Sequence, residues 1–212
     1  AEVHVPNGEQ LQIILQDGTS VKLNSGSTLE YPKSFGLFNR KVKLLGEGYF
    51  AVAKERNRPF IVDLNDIRVK VTGTKFNVKA YTEENITVAL DEGSVDIIDS
   101  KKNTYPLEKD QFAYFDRISG ICTINNITDT LEYTAWLTKS LNFYRTPLSD
   151  ILSTLERQYD VQFIISDSDL LKLKFSISSS NIDISNILLD LEKVSNIRFV
   201  QTENKKYKVT SL

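Results

Sequence analysis

Hydrophobic and polar residues alternate in short runs along the first part of the chain. Leu11, Ile13 and Leu15 interleave with Gln10, Gln12 and Ile14, Asp17-Gly18 marks a turn, and Val21 and Leu23 resume the alternation. Asp-Gly between two such runs predicts a hairpin, because both residues tolerate positive φ. Further runs predict strands at Val42–Leu44, Tyr49–Ala53, Phe60–Leu64, Ile67–Val71 and Phe76–Tyr81. The set continues with Ile86–Leu90, Val95–Ile98, Gln111–Phe115 and Ile121–Ile124. Glu83-Glu84-Asn85 and Glu92-Gly93 fall at corners. No stretch from residue 9 to about 125 keeps helical periodicity for three turns. Many short strands separated by turn residues predict a mostly β domain, either a sandwich, a barrel or a solenoid.

The texture changes after residue 140. Leu148, Ile151, Leu152, Leu155 and Tyr159 form one face of an amphipathic helix, with Thr146 as expected N-cap and Pro147 as its first residue. Asp150 suits the positive end of the helix dipole. Ile184, Ile187, Leu188 and Leu191 make a second stripe with Asp183 as cap. The two stretches align at a constant offset of 36: Leu148 with Ile184, Ile151 with Ile187, Leu152 with Leu188, Leu155 with Leu191. Glu156 with Glu192, Val161 with Ile197 and Phe163 with Phe199 continue the match. An ungapped repeat of this kind predicts two strand–helix–strand units that cover each other's apolar faces. With strands at Leu141–Tyr144, Val161–Ile165, Leu173–Ile177, Ile197–Val200 and Tyr207–Thr210, the expectation is a small α+β domain, two helices on one face of a small sheet. The domains divide as 1–130 and 131–212, with the joint within Asn126–Lys139 and Trp136 expected to pack at the seam.

Composition narrows the function. The chain of 212 residues carries 26 basic and 28 acidic side chains, a net charge of -2. Divided at residue 135, it has 16 basic and 19 acidic residues before and 10 and 9 after, so neither part is the basic surface that nucleic acid requires. One cysteine, Cys122, rules out an intrachain disulfide, and one histidine, His4, rules out a multi-histidine metal site or a histidine triad. No cofactor is expected. No apolar run approaches the ~18 residues that cross a bilayer. The absence of any methionine suggests a processed or truncated piece of something longer.

No residue pattern amounts to an enzyme signature. The acidic pairs Glu83-Glu84 and Asp91-Glu92 are adjacent in turns rather than opposed across a cleft. Gly46-Glu47-Gly48 lacks the third glycine and following helix of a phosphate cradle, and reads as a bulge or close backbone packing. Asn85-Ile86-Thr87 and Asn126-Ile127-Thr128 match the glycosylation acceptor pattern. Cys122 reads as a buried small hydrophobe and His4 as a solvated terminal residue. Gly73-Thr74 is a candidate of another kind, because a threonine hydroxyl can attack the preceding carbonyl where the fold twists that peptide and a neighbour takes the proton. By composition and spacing alone, the chain is a binding or signalling module with sheet edges able to accept a strand.

The first part resembles the periplasmic region of FecR-like anti-sigma factors. The resemblance is carried by Pro6-Asn7-Gly8-Glu9-Gln10, Leu15-Gln16-Asp17-Gly18-Thr19, Leu29-Glu30-Tyr31-Pro32 and Leu45-Gly46-Glu47-Gly48-Tyr49-Phe50. Val71-Thr72-Gly73-Thr74-Lys75-Phe76 and Leu90-Asp91-Glu92-Gly93-Ser94-Val95 extend it. From Trp136 to Phe143, then through Pro147-Leu148 to Leu155-Glu156-Arg157-Gln158-Tyr159, the chain is similar to the short N-terminal domains of secretins and TonB-dependent transporters. The resemblance implies the periplasmic region of a single-pass inner-membrane protein. Its membrane helix and its cytoplasmic segment, which would hold an extracytoplasmic-function sigma factor, lie outside this sequence. It implies a signal from the signalling domain of a TonB-dependent outer-membrane transporter, received at an edge strand around Leu173, Phe175 and Ile177 or around Tyr207 and Val209. Some relatives cleave a Gly-Thr bond at the position of Gly73-Thr74. The alternative function is a periplasmic or surface carbohydrate-binding protein, whose tyrosines would form a stacking platform.

Overall fold

The structure, a computed structural model, describes residues 1–36, 39–129, 131–180 and 183–211. The chain divides into two compact units, Ala1–Thr130 and Leu131–Leu212.

Alternation becomes strand in the first unit. Its strands are β1 (Glu2–His4), β2 (Leu11–Ile14), β3 (Ser20–Leu23), β4 (Thr28–Glu30), β5 (Arg40–Ala51), β6 (Phe60–Asp63) and β7 (Ile67–Val71). They continue with β8 (Lys75–Ala80), β9 (Ile86–Glu92), β10 (Val95–Asp99), β11 (Thr104–Leu107), β12 (Gln111–Asp116) and β13 (Ile121–Asn126). The long strand β5 serves two sheets. Its first half pairs β4 and β6, in the order β1-β4-β5-β6-β7-β10-β11; its second half pairs β3 and β8, in the order β2-β3-β5-β8-β9-β12-β13. All these pairs are antiparallel except β5 with β6, which needs the crossover 52–59. Between the sheets lies one core, with Phe50 stacked on Phe76 at 5.2 Å and Phe60 edge-on to Phe35 at 5.9 Å. The fold is therefore the expected mostly β domain, many short strands in a nearly closed sheet joined through β5. Where β5 passes between sheets, Gly46 has φ +107, and a Cβ there would stand 2.5 Å from the Ser27 hydroxyl oxygen. The Gly46-Glu47-Gly48 run is strand, as the close-packing reading requires.

Three short strands, β1, β4 and β11, escape the alternation pattern. Each is three or four residues long, and β11 holds Pro106, which an edge strand tolerates. The Asp17-Gly18 hairpin forms, but only Gly18 is left-handed, at φ +85. Asp17 instead uses its carboxylate, which accepts from the Thr19 amide and hydroxyl at 2.9 Å each.

The second unit opens with a four-residue turn of helix, α1 (Leu131–Thr134), and a 3₁₀ turn containing the buried Trp136. There follow β14 (Leu141–Pro147), α2 (Leu148–Tyr159), β15 (Gln162–Ile165), β16 (Lys174–Ser179), α3 (Ile184–Lys193), β17 (Ile197–Glu203) and β18 (Lys206–Ser211). The units β14-α2-β15 and β16-α3-β17 realise the repeat. Both predicted stripes face inward, fully buried except for the half-buried Tyr159 and Ile184, and with the inward residues of the strands they form one core. The strands split into an antiparallel pair, β14 with β16, and a three-stranded sheet ordered β15-β18-β17. Helix α2 starts one residue later than predicted, with Pro147 as N-cap and no side-chain cap; the Leu148 amide donates instead to the Leu173 carbonyl at 2.8 Å. Asp183 caps α3 as expected, accepting from the Ser185 amide at 2.8 Å.

Candidate functional site

Strand edges are the feature of the second unit that can recognise another chain, because their unpaired amides and carbonyls template an added strand. Strand β16 pairs β14 on one side and, among the described residues, no strand on the other. Phe175 is buried and Ile177 half-buried against the core, whereas Lys174, Ser176 and Ser178 face solvent. Leu173, immediately before the strand, is 43% exposed. Its partner β14 carries a bulge at Tyr144 and Arg145, where Arg145 takes φ +49 and its amide donates to the Ser176 hydroxyl at 2.9 Å. The β16 strand is thus polar outward, with apolar side chains inward.

The other expected edge is not one. Tyr207 and Val209 lie on β18, which is paired by β15 on one side and β17 on the other. Val209 is fully buried, and the Tyr207 ring sits 5.7 Å from Phe163. The last strand of the chain sits in the middle of its sheet because β15 joins it in parallel, a non-local pairing that periodicity alone does not reveal.

The remaining sequence candidates scatter over the first unit. At Gly73-Thr74 the backbone is tightly enclosed. Gly73 has φ +151, and a Cβ would lie 2.6 Å from Lys54 Cγ; a Cβ on Gly93 would lie 3.0 Å from Thr74 Oγ1. The Thr74 hydroxyl is buried and donates to the Ser94 carbonyl at 2.8 Å, and the Val52 amide donates to the Thr74 carbonyl. Glu92, which is paired with Lys75 at 2.7 Å, has its carboxyl held below the usual range by that hydrogen bond. Among the described residues no carboxylate, imidazole or amine accepts from Thr74 Oγ1. Asn85 is committed on both ends, donating to the Tyr114 hydroxyl and accepting from the Arg117 amide. His4 is exposed on β1 but bonded to Thr28, rather than merely solvated. Burial first, then the charge of Asp99, pushes the Cys122 thiol up to about 11. Tyr81 is buried with its hydroxyl on the Ser25 carbonyl, and Tyr49 donates to Asp91, so these tyrosines build no common platform.

Among the buried charges hidden from sequence reading, two hold the framework of the first unit. Arg40, at the start of β5, is fully buried; it pairs with Asp17 at 3.2 Å and donates to the carbonyls of Ala53, Glu55 and Arg58. It clamps the 15–19 hairpin loop to the 52–59 crossover. Glu47 lies beside the β5 passage, its carboxylate accepting from Asn24 at 2.9 Å and Asn77 at 3.0 Å. Burial raises its pKa from the ordinary value of 4.5, opposed by Lys79 and the two amides. The only signal for either was a polar residue in phase with, or interrupting, an apolar run. Among the described residues no group of three or more His, Cys, Asp or Glu side chains could hold a metal ion, and no helix is long and apolar enough to cross a membrane.

Comparison with known proteins adds a family. The family model described as FecR protein matches residues 1–96, and that described as FecR, C-terminal, matches residues 140–209. Crystal structures of a candidate anti-sigma factor from Parabacteroides distasonis ATCC 8503, at 1.65 Å and 2.50 Å resolution, are similar over the whole chain. Each has a TM-score of 0.92 at 30% identity, covering 100% of this chain and 99% of the other. No curated protein matches at a significant level.

Proposed function

Because this chain belongs to the FecR family, we propose that it is the periplasmic sensor region of a transmembrane anti-sigma factor. In this reading its second unit receives the signalling domain of a TonB-dependent outer-membrane transporter. The signal then passes through an inner-membrane helix to a cytoplasmic segment that holds an extracytoplasmic-function sigma factor. The observation that carries the reading is the similarity, over the entire chain, to a candidate anti-sigma factor. Two features support the docking role. The second unit is a compact module with its own core, and its β16 edge is open to an incoming strand, whose main chain would supply affinity and whose inward side chains would lie beside Leu173, Phe175 and Ile177. The buried Arg40 and Glu47 are bound within the first unit's framework, where they hold loops and strands rather than line a cleft.

The test is a pull-down of the purified chain with the signalling domain of the transporter encoded beside it. Binding is expected for the whole chain and lost on deletion of residues 131–212. Leu173→Glu, a substitution at a surface position, is expected to weaken binding at least tenfold by placing a charge at the docking edge. Capture that survives the deletion refutes the docking role of the second unit.

A further inference from the structure

The three-stranded sheet of the second unit has two outer strands, and its hydrogen bonding fixes which amides face outward. The Gln162 amide donates to the Lys205 carbonyl at 2.8 Å and the Ser166 amide to the Val209 carbonyl at 3.2 Å. Amides alternate in direction along a strand, so Phe163 of β15 turns its own away from β18. The Val209 carbonyl is spent on the β15 side, which leaves Lys208 and Thr210 to face β17 opposite Val200 and Arg198. Phe199, between them, therefore also points its amide outward. The amides of Phe163 and Phe199 are taken by the same device, whereas Ile165 on β15 and Gln201 on β17 also face outward by the same alternation. Phe163 donates to Glu156 Oε1 at 2.8 Å and Phe199 to Glu192 Oε1 at 2.6 Å. On β17 the outward amide of Ile197 is taken as well, by the Ser195 hydroxyl at 3.3 Å.

Glu156 and Glu192 occupy equivalent positions of the 36-residue repeat, each in the last turn of its helix and seven residues before its phenylalanine. A helix disfavours a negative charge in its last turn, so both helices carry this glutamate against their own dipole. A carboxylate bonded to an outward edge amide covers that amide and places a charge where a neighbouring strand would lie, two of the ways in which sheets resist edge-to-edge pairing. In contrast, no side chain accepts from the amides of residues 174–178 on β16, among the described residues. We infer that Glu156 and Glu192 are edge guards, each of which, by covering one outward amide and setting a carboxylate beside it, opposes strand addition by a second copy of this chain at its side of the three-stranded sheet. The corollary, that a partner strand goes to β16, rests on the docking function proposed above; the guarding role does not.

The experiment is sedimentation of the whole chain and of Glu156→Ala, Glu192→Ala and Glu192→Gln across a wide concentration range, with circular dichroism as the check on folding. The wild type and Glu192→Gln, whose amide oxygen still accepts from Phe199, keep the mass of one chain. The alanine variants climb toward the mass of two as concentration rises. Folded alanine variants that stay at the mass of one chain overturn the inference. Should an alanine variant not fold, hydrogen exchange of the wild-type amides decides: those of Phe163 and Phe199, bonded to the glutamates, exchange slowly for outer-strand amides, and exchange as fast as an open amide overturns it. The result is independent of transporter binding, so failure of docking and failure of guarding are told apart.

Discussion

Replacing Arg40 by methionine keeps most of the side-chain volume and deletes a buried charge. The guanidinium has no solvent exposure, and the Asp17 side chain that it pairs is only 5% exposed. Without Arg40 the Asp17 carboxylate keeps its bonds to Thr19 but loses its counter-charge, and the carbonyls of Ala53, Glu55 and Arg58 lose a buried donor. Breaking a buried ion pair from one side costs about 3–5 kcal/mol, a large fraction of the ~5–15 kcal/mol that holds a typical domain folded. Urea unfolding followed by tryptophan-independent circular dichroism reads this directly, as a shift of the midpoint with little change in slope. The double variant Asp17→Asn/Arg40→Met removes the stranded charge, so its cost should fall short of the sum of the two single substitutions by roughly 0.5–3 kcal/mol. A cost below about 1 kcal/mol for Arg40→Met, far under that of a broken buried pair, or strict additivity in the cycle, refutes the clamp.

Three further outcomes follow from buried and half-buried groups. Glu47 has a folded pKa above its unfolded value of 4.5, so the folded state binds its proton more tightly, and this residue's contribution to stability falls as pH rises through the folded pKa. Glu47→Gln should therefore gain stability relative to wild type on going from below pH 4.5 to pH 8, and a pH-independent difference between the two unfolding curves contradicts this. At Gly73-Thr74 the hydroxyl proton goes to a carbonyl oxygen, which is no base at neutral pH, so we expect the purified chain to give a single intact mass; fragments meeting at that bond would show otherwise. Cys122, with its thiol near 11, should react with Ellman's reagent at pH 8 far more slowly in the folded chain than in urea. Equal rates would mean that the thiol is not held in the strand.

What the sequence disclosed, it disclosed through periodicity. The apolar stripes of α2 and α3 are visible as spacing and face inward in the structure. The 36-residue repeat shows Glu156 and Glu192 in matching places before their bonds to Phe163 and Phe199 give the reason. Strands of five or more alternating residues, such as β7 and β12, are legible, whereas the three-residue strands β1 and β4 hold too little pattern: β4 is placed by pairing with the long β5, and β1 by pairing with β4. Buried charges are illegible in principle. Arg40 sits in phase with Val42 and Leu44, but nothing local says that Asp17, 23 residues earlier, neutralises it. The central position of β18 was hidden for the same reason: a parallel pairing across 44 residues (Gln162 with Lys206) is a tertiary fact. It moved Tyr207 and Val209 from edge to interior while leaving Leu173, Phe175 and Ile177 at the edge.

Hydrogen–deuterium exchange of the whole chain, with and without the transporter's signalling domain, tests the docking account most directly. Slowed exchange concentrated in Lys174–Ser179, with the first unit unchanged, is the predicted result. Protection confined to the first unit, or none anywhere at saturating signalling domain, contradicts it.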